Sequence, residues 1–334
     1  MHRLNALHAW VNETHPAPFS ALTPASSDAS FRRYFRLTRG AETFIVMDAP
    51  PDREDCHPFM AVAALFAGAG MHVPRILRAD AAQGFLLLTD LGHTTYLEAL
   101  AAPGATDAMA QQLYRDALSA LVTLQRASRP GCLPEYDEAL LRREVALFPE
   151  WYVGRHLGQQ LDTAEQKAFE QSVNALIANA LAQPKVFVHR DYHSRNLMVC
   201  HPNPGILDFQ DAVYGPITYD AVSLLKDAYV RQEEARRLDW LVRYWEQARA
   251  AQLPVAADFG EYYRDFEWMG VQRHLKVLGI FARLHHRDGK SGYLRDLPRV
   301  LQYVLETCVR YRELRPLAHM LHRISGQDTA VGLT

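Results

Sequence analysis

Apolar positions crowd two short runs near the start of the chain, Phe31-Arg-Arg-Tyr-Phe-Arg-Leu37 and Thr43-Phe-Ile-Val-Met47. Their aromatic and branched residues, separated by Arg39-Gly40-Ala41, predict two strands and a turn. Pro50-Pro51-Asp52 breaks the pattern. His57–Ala69 returns to helical spacing, with Met60, Ala64, Leu65 and Phe66 on or near one face. Val73–Ala79 and Gly84–Thr89 predict a second strand pair. Ahead of all of these, Leu4, Leu7, Trp10 and Val11 predict a short amphipathic helix. Beyond Asp90-Leu-Gly92 the periodicity is helical over Ala105–Ala127, Glu138–His156 and Thr163–Leu181, and helices resume from Tyr219. The tail Gly326–Thr334 is expected to fray. The plan is α+β and bilobal: a small β-rich N-lobe (1–89), a hinge (90–94), a large mainly helical C-lobe (95–325) and a tail (326–334).

Three polar clusters interrupt the C-lobe where the pattern briefly turns back to strands. Val186-Phe187-Val188, Leu197-Met198-Val199 and Ile206-Leu207 flank Asp191, Asn196 and Asp208. Asp191 lies five residues before Asn196 and seventeen before Asp208. Each of these side chains alone has a bland reading, as a turn cap or a satisfied loop amide. Together, at this spacing, they fit phosphoryl transfer from ATP, whose catalysis is mostly positioning and charge neutralisation. Asp191 is the candidate base for a hydroxyl proton. Asn196 and Asp208 are the candidate Mg²⁺ ligands, because Mg²⁺ takes hard oxygens and keeps several waters. His189 and Asp220 are expected to support the catalytic loop. The spacing leaves Asp211 either at the metal or on the surface.

Composition narrows the rest. The 334-residue chain is 49% hydrophobic and 22% charged, with a net charge of −2, which gives no case for nucleic acid binding. Cys56, Cys132, Cys200 and Cys308 are scattered without a CxxC pair, so reduced thiols in a cytoplasmic protein are expected. The first residues are too polar for a signal peptide, and no apolar run approaches the length of a membrane span. Oligomeric state is not legible.

The motif residues His189, Asp191, Asn196, Asp208, Phe209 and Asp220 resemble, position by position, the aminoglycoside phosphotransferase superfamily of the protein-kinase-like fold. The likeness spans roughly residues 20–310. Ser26–Arg36, Val46–Pro51 and Gln272–Leu284 further resemble the anomeric sugar kinases of bacterial cell-wall recycling. Those enzymes phosphorylate the 1-hydroxyl of N-acetylmuramate or N-acetylglucosamine. The resemblance implies an ATP- and Mg²⁺-dependent kinase acting on an amino sugar.

Two departures from the wider kinase pattern stand out. The loop Ser26–Phe31 has no glycine, so Ser27 and Ser30 are the candidates to meet phosphate. No lysine precedes Lys167, and Met47 stands near where the phosphate-gripping strand lysine would fall. Arg32 and Arg33 are the candidate substitutes, since a guanidinium suits phosphate. Strand alternation puts Arg33 with Phe35 and Leu37, the expected inner face. The missing lysine also keeps open a nucleotide-binding module without turnover. A protein kinase ranks last, because no Ala-Pro-Glu segment follows Asp208. Leu88, Thr89 and Asp90 are placed at the hinge to receive adenine.

The acceptor side is less defined. Residues 231–323 hold seventeen Lys or Arg and twelve Asp or Glu, a bias against a polycationic acceptor. Arg273, Lys276, Arg283 and Arg287 share one arc of a helical wheel, which is equally the pattern of a solvated basic face. Arg273, His274 and Lys276, with Arg195 from the catalytic segment, are the candidate acceptor contacts. His285 and His286 are adjacent on a helix and point about 100° apart, which excludes a shared metal.

Overall fold

The computed structural model describes residues 2–13, 19–26 and 31–326. Ser27, Ser30 and the tail beyond Gly326 lie outside the described residues. The chain packs as two compact units, Met1–Leu124 with Arg195–Asp211, and Gln125–Ser194 with Ala212–Thr334.

The first unit opens with helix α1 (His2–Asn12) and a five-stranded antiparallel sheet. Its strands are β1 (Thr23–Ser26), β2 (Arg33–Arg39), β3 (Glu42–Asp48), β4 (Ile76–Asp80) and β5 (Phe85–Thr89), in the order β1-β2-β3-β5-β4. The β2–β3 register pairs Arg33 with Asp48 and Leu37 with Phe44, the hairpin expected from the two runs and the turn between them. Phe35, Leu37, Phe44, Val46, Phe85 and Leu87 form one buried face, and Leu7, Trp10 and Val11 of α1 pack into the same cluster. Helix α2 (His57–Gly68) follows β3, and α3 (Tyr96–Ala101) starts on a Thr95/Glu98 capping box. Helix α4 (Asp107–Arg126) closes the first stretch. The later segment of this unit is a short hairpin, β7 (Leu197–Met198) with β8 (Gly205–Ile206).

The second unit contains α5 (Glu138–Val145), α6 (Thr163–Ala182), β6 (Lys185–Val188), β9 (Val213–Pro216), α7 (Tyr219–Leu225) and α8 (Glu234–Ala250). It continues with α9 (Phe259–His286), α10 (Leu297–Arg310) and α11 (Arg315–Ser325). Strands β6 and β9 pair antiparallel, Val188 opposite Val213. The helical stretch foreseen over Glu138–His156 is broken: α5 ends at Val145, and Phe148–His156 is a π-helix. Pro149 explains the change, because its missing N–H and its ring disrupt the i−4 ladder of an ordinary helix.

Helix α9 is the centre of this unit, with α5, α6, α7, α10 and the π-helix packed around it. From Phe266 to Gly279 every residue is buried, including Arg273, His274 and Lys276. A helix buried all round carries no solvent-facing stripe, so the basic arc at Arg273 and Lys276 is not a solvated face. Gly279 permits the packing: a Cβ there would lie 2.4 Å from the carbonyl carbon of Leu147. No helix among the described residues is long and apolar enough to cross a membrane.

Candidate active site

In the second unit, β6 delivers His189-Arg190-Asp191 directly after Val188. Arg190 takes a left-handed backbone (φ 77°), which disfavours side chains other than glycine. Asp220, fully buried at the start of α7, holds that bend in place. Its two carboxylate oxygens accept the backbone N–H of His189 at 2.7 Å and of Arg190 at 3.0 Å. Burial pushes the Asp220 carboxyl up to about 7, against the pull of those two donors and of Arg273. His189 is also fully buried, and its Nδ1 accepts the N–H of Asp191 at 3.2 Å.

A second carboxylate pins the other end of the loop. Asp227, 1% exposed, accepts the N–H of Ser194 at 2.9 Å and of Tyr229 at 2.8 Å. The Tyr229 ring meets His193 edge-on, with centroids 5.3 Å apart, and His193 Nε2 lies 4.0 Å from Asp191 Oδ1. The loop is therefore fixed from both sides by buried acceptors.

Asp191 itself is 40% exposed, so its carboxylate reaches solvent from a surround that is largely buried. Burial raises its proton affinity, but Lys276, His193, Arg273 and Arg190 outweigh that and hold the carboxyl down at about 2. It is ionised at neutral pH. A carboxylate held this low is a weak base, suited to orienting a hydroxyl rather than to deprotonating it outright.

The cations around Asp191 are organised by Glu144, a residue the sequence reading missed. Its carboxylate, 7% exposed on α5, takes Lys276 Nζ at 2.8 Å, the Arg190 guanidinium, and the hydroxyl of Tyr136. Lys276 also donates to the Tyr219 hydroxyl at 3.1 Å. Burial raises Glu144, while Lys276 and Arg190 more than reverse this and hold it below the ordinary carboxylate range. The available signal was a glutamate inside the buried stripe of Leu141, Val145 and Phe148. Arg273 Nη2 lies 3.7 Å from Asp191 Oδ1. His274 is turned elsewhere: its Nε2 meets the Lys226 carbonyl at 2.8 Å and its ring stacks on Tyr303.

In the first unit, the β7–β8 hairpin brings Asn196 and Asp208 together at its open end. Leu207 N–H donates to the Asn196 carbonyl at 2.9 Å, and Asn196 Nδ2 donates to Asp208 Oδ2 at 3.2 Å. Asp208 has φ 60°, and the next residue, Phe209, is fully buried against Phe59 and Phe66 of α2. Gln210 bridges two carboxylates, donating to Asp208 at 3.0 Å and to Asp211 at 3.1 Å. Asp211 is exposed, and so is Arg195. Among the described residues no three His, Cys, Asp or Glu side chains cluster as a metal site. The Asn196–Asp208 pair still fits Mg²⁺, which needs only one or two protein oxygens when phosphate and water complete the shell.

The same unit separates the two arginine candidates. Arg33 lies on the sheet face covered by α1 and pairs with buried Asp48, which also takes Arg3 Nε at 2.6 Å. Arg32 is 9% exposed, with Nη1 3.7 Å from Glu54, which also accepts the Phe31 N–H at 3.1 Å. Burial works against the charge on Arg32, but Tyr34, Glu54, Asp208 and Asp211 together raise its pKa. Met47 is fully buried in β3. Leu88 is buried in β5, and Thr89 N–H donates to the Arg75 carbonyl at 3.0 Å. The Asp90 carboxylate holds Arg36 at 2.6 Å and the Gly92 N–H at 3.0 Å.

Comparison with known proteins follows this geometry. A model of the phosphotransferase enzyme family matches residues 21–258. The N-acetylmuramate/N-acetylglucosamine kinase of Pseudomonas putida is 51% identical over 329 residues, covering 96% of each chain. The protein of the same name from Pseudomonas aeruginosa is 50% identical over the same shares. Among solved structures, a putative aminoglycoside phosphotransferase from Ralstonia eutropha superposes with a TM-score of 0.61 at 14% identity, over 97% of this chain and 98% of that one. An ADP-bound aminoglycoside phosphotransferase gives 0.58 at 13% identity, over 90% and 98%. At those identities the likeness establishes the kinase-like fold expected from the motifs.

Proposed function

The chain belongs to the phosphotransferase enzyme family, and on that premise we propose that it transfers the γ-phosphoryl group of ATP to the anomeric hydroxyl of N-acetylmuramate and of N-acetylglucosamine. The substrate class rests on the relatives of about half identity along nearly the whole chain. The chemical reading rests on one observation: Asp191 is an ionised carboxylate that reaches solvent from a buried, cation-rich surround.

In this reading Asp191 orients the sugar hydroxyl and receives its proton as the O–P bond forms. Asn196 and Asp208 would hold Mg²⁺, which when bound supplies neutralisation of the phosphate charge. Arg32 takes the place of the missing strand lysine. It is ion-paired and largely enclosed, and its charge is favoured by Tyr34, Glu54, Asp208 and Asp211, whereas Arg33 is committed to Asp48. Asp220, Asp227 and His189 hold the loop that carries Asp191.

The test is ³¹P NMR of reactions with ATP and Mg²⁺ and one acceptor each: N-acetylmuramate, N-acetylglucosamine, kanamycin or choline. The expected result is an anomeric sugar-phosphate signal with the two sugars that is lost in Asp191→Asn. A signal with kanamycin or choline alone would reassign the acceptor. Unchanged turnover in Asp191→Asn would remove Asp191 from the chemistry.

A further inference from the structure

Arg273 stands near the middle of α9 with a side chain 3% exposed. Its guanidinium carries five N–H donors. Nε and Nη1 are buried and make no hydrogen bond. Nη2 lies 3.7 Å from Asp191 Oδ1, outside hydrogen-bonding distance, and Cζ lies 5.8 Å from the centre of the Tyr219 ring. Buried donors of a charged group are almost always satisfied, so a guanidinium left in this condition beside a catalytic carboxylate asks for an acceptor from outside the chain.

Each of the neighbouring basic side chains has a polar partner within hydrogen-bonding distance. Lys276 spends its ammonium on Glu144 and Tyr219, and Arg190 is bound to Glu144. His274 is neutral at ordinary pH, with burial first among the causes that lower it to about 3, and it is engaged with the Lys226 carbonyl. An acceptor whose hydroxyl reached Asp191 would sit beside Nη2 of Arg273, which lies 3.7 Å from that carboxylate. The planar fork of a guanidinium matches a carboxylate through two parallel hydrogen bonds. The two sugars of the proposed reaction differ in this respect, since N-acetylmuramate carries a carboxylate and N-acetylglucosamine is neutral.

We propose that Arg273 recognises the carboxylate of the acceptor and sets the preference of the site for N-acetylmuramate over N-acetylglucosamine. The proposal rests on the kinase reading above. Arg273 also balances the charge of Asp191, so its loss slows both sugars; the ratio of their kcat/KM values cancels that shared effect and isolates recognition.

The experiment measures kcat/KM for both sugars in the wild type and in Arg273→Met. The expected result is a fall in the N-acetylmuramate to N-acetylglucosamine ratio of about 10- to 100-fold, the range for charge-assisted hydrogen bonds. An unchanged ratio overturns the proposal, even where both rates drop. A second arm needs no variant: the wild type is assayed on the methyl ester of N-acetylmuramate, which is neutral at that position. The ester should lose a comparable factor relative to the acid, and an ester used as well as the acid also overturns the proposal. A wild type that phosphorylates neither sugar would instead refute the function proposed above.

Discussion

Replacing Glu144 by Gln removes one negative charge and almost no volume from the cluster behind the catalytic loop. In the wild type that carboxylate binds Lys276 at 2.8 Å, Arg190 and the Tyr136 hydroxyl, all in a setting where Glu144 is 7% exposed. The amide can still accept one of these donors, but its NH₂ then faces another. Lys276 (8% exposed) and Arg190 (17% exposed) are left without their shared counter-charge. Breaking a buried pair by removing one partner costs about 3–5 kcal/mol, mainly through the cation left behind. At about 2–4 °C per kcal/mol for a cooperative unit of this size, the melting temperature should fall by roughly 6–20 °C. Pairing the change with Lys276→Met should return part of the loss, because the two residues are coupled. The pH dependence has a definite sign. Glu144 is held below its unfolded value, so its contribution is fully present above about pH 4.5 and fades as pH falls through the folded value. Thermal melts of both proteins should therefore converge in acid. A shift under about 2 °C at neutral pH would show that the cluster is hydrated, and the reasoning from burial would fail.

Three further outcomes follow from the same geometry. Arg32→Met should raise the KM for ATP about tenfold or more while Arg33→Met mainly lowers the melting temperature, and steady-state kinetics showing equal KM effects would erase the distinction between the two arginines. Asp227→Asn offers one acceptor oxygen to two backbone N–H groups, so it should cost about 1–3 kcal/mol by chemical denaturation. It should also reduce kcat more than the KM for ATP, and wild-type kcat would detach Asp227 from the loop's function. Gly279→Ala places a methyl 2.4 Å from the Leu147 carbonyl carbon and should destabilise by about 1–3 kcal/mol or more, whereas an unchanged melting curve would mean α9 and the π-helix pack less tightly than described.

The parts of this molecule that the sequence makes legible are local. The aromatic and branched runs Phe31–Leu37 and Thr43–Met47, with a turn between them, are enough for a hairpin, and the spacing of Asp191, Asn196 and Asp208 survives as loop and strand ends. What escapes is set by partners distant in sequence. Strand alternation puts Arg33 on the side of β2 that carries Phe35 and Leu37, yet nothing in that run shows that α1 covers this side. Arg273 and Lys276 look like a solvated arc until α5, α6, α7 and α10 are packed around α9. Glu144 looks like one more charge in Arg-Arg-Glu until Arg190 and Lys276 arrive, 46 residues later in the first case. The break at Pro149 was visible as a proline, but its result, a π-helix that keeps the chain coiled, depends on packing against α9.

The threading of the chain has a consequence for its biosynthesis. The first unit is not continuous: Arg195–Asp211, with the hairpin and Phe209, returns to it after a long excursion into the second. A nascent chain that has just emitted Leu124 still lacks the phenylalanine that fills the space between Phe59 and Phe66. At about 5–20 residues per second, the ribosome takes roughly 4–17 s more to supply it. For that interval Phe59 and Phe66 of α2 lack the aromatic ring they pack against. A truncation ending at Leu124 would leave Phe59 and Phe66 without that partner permanently.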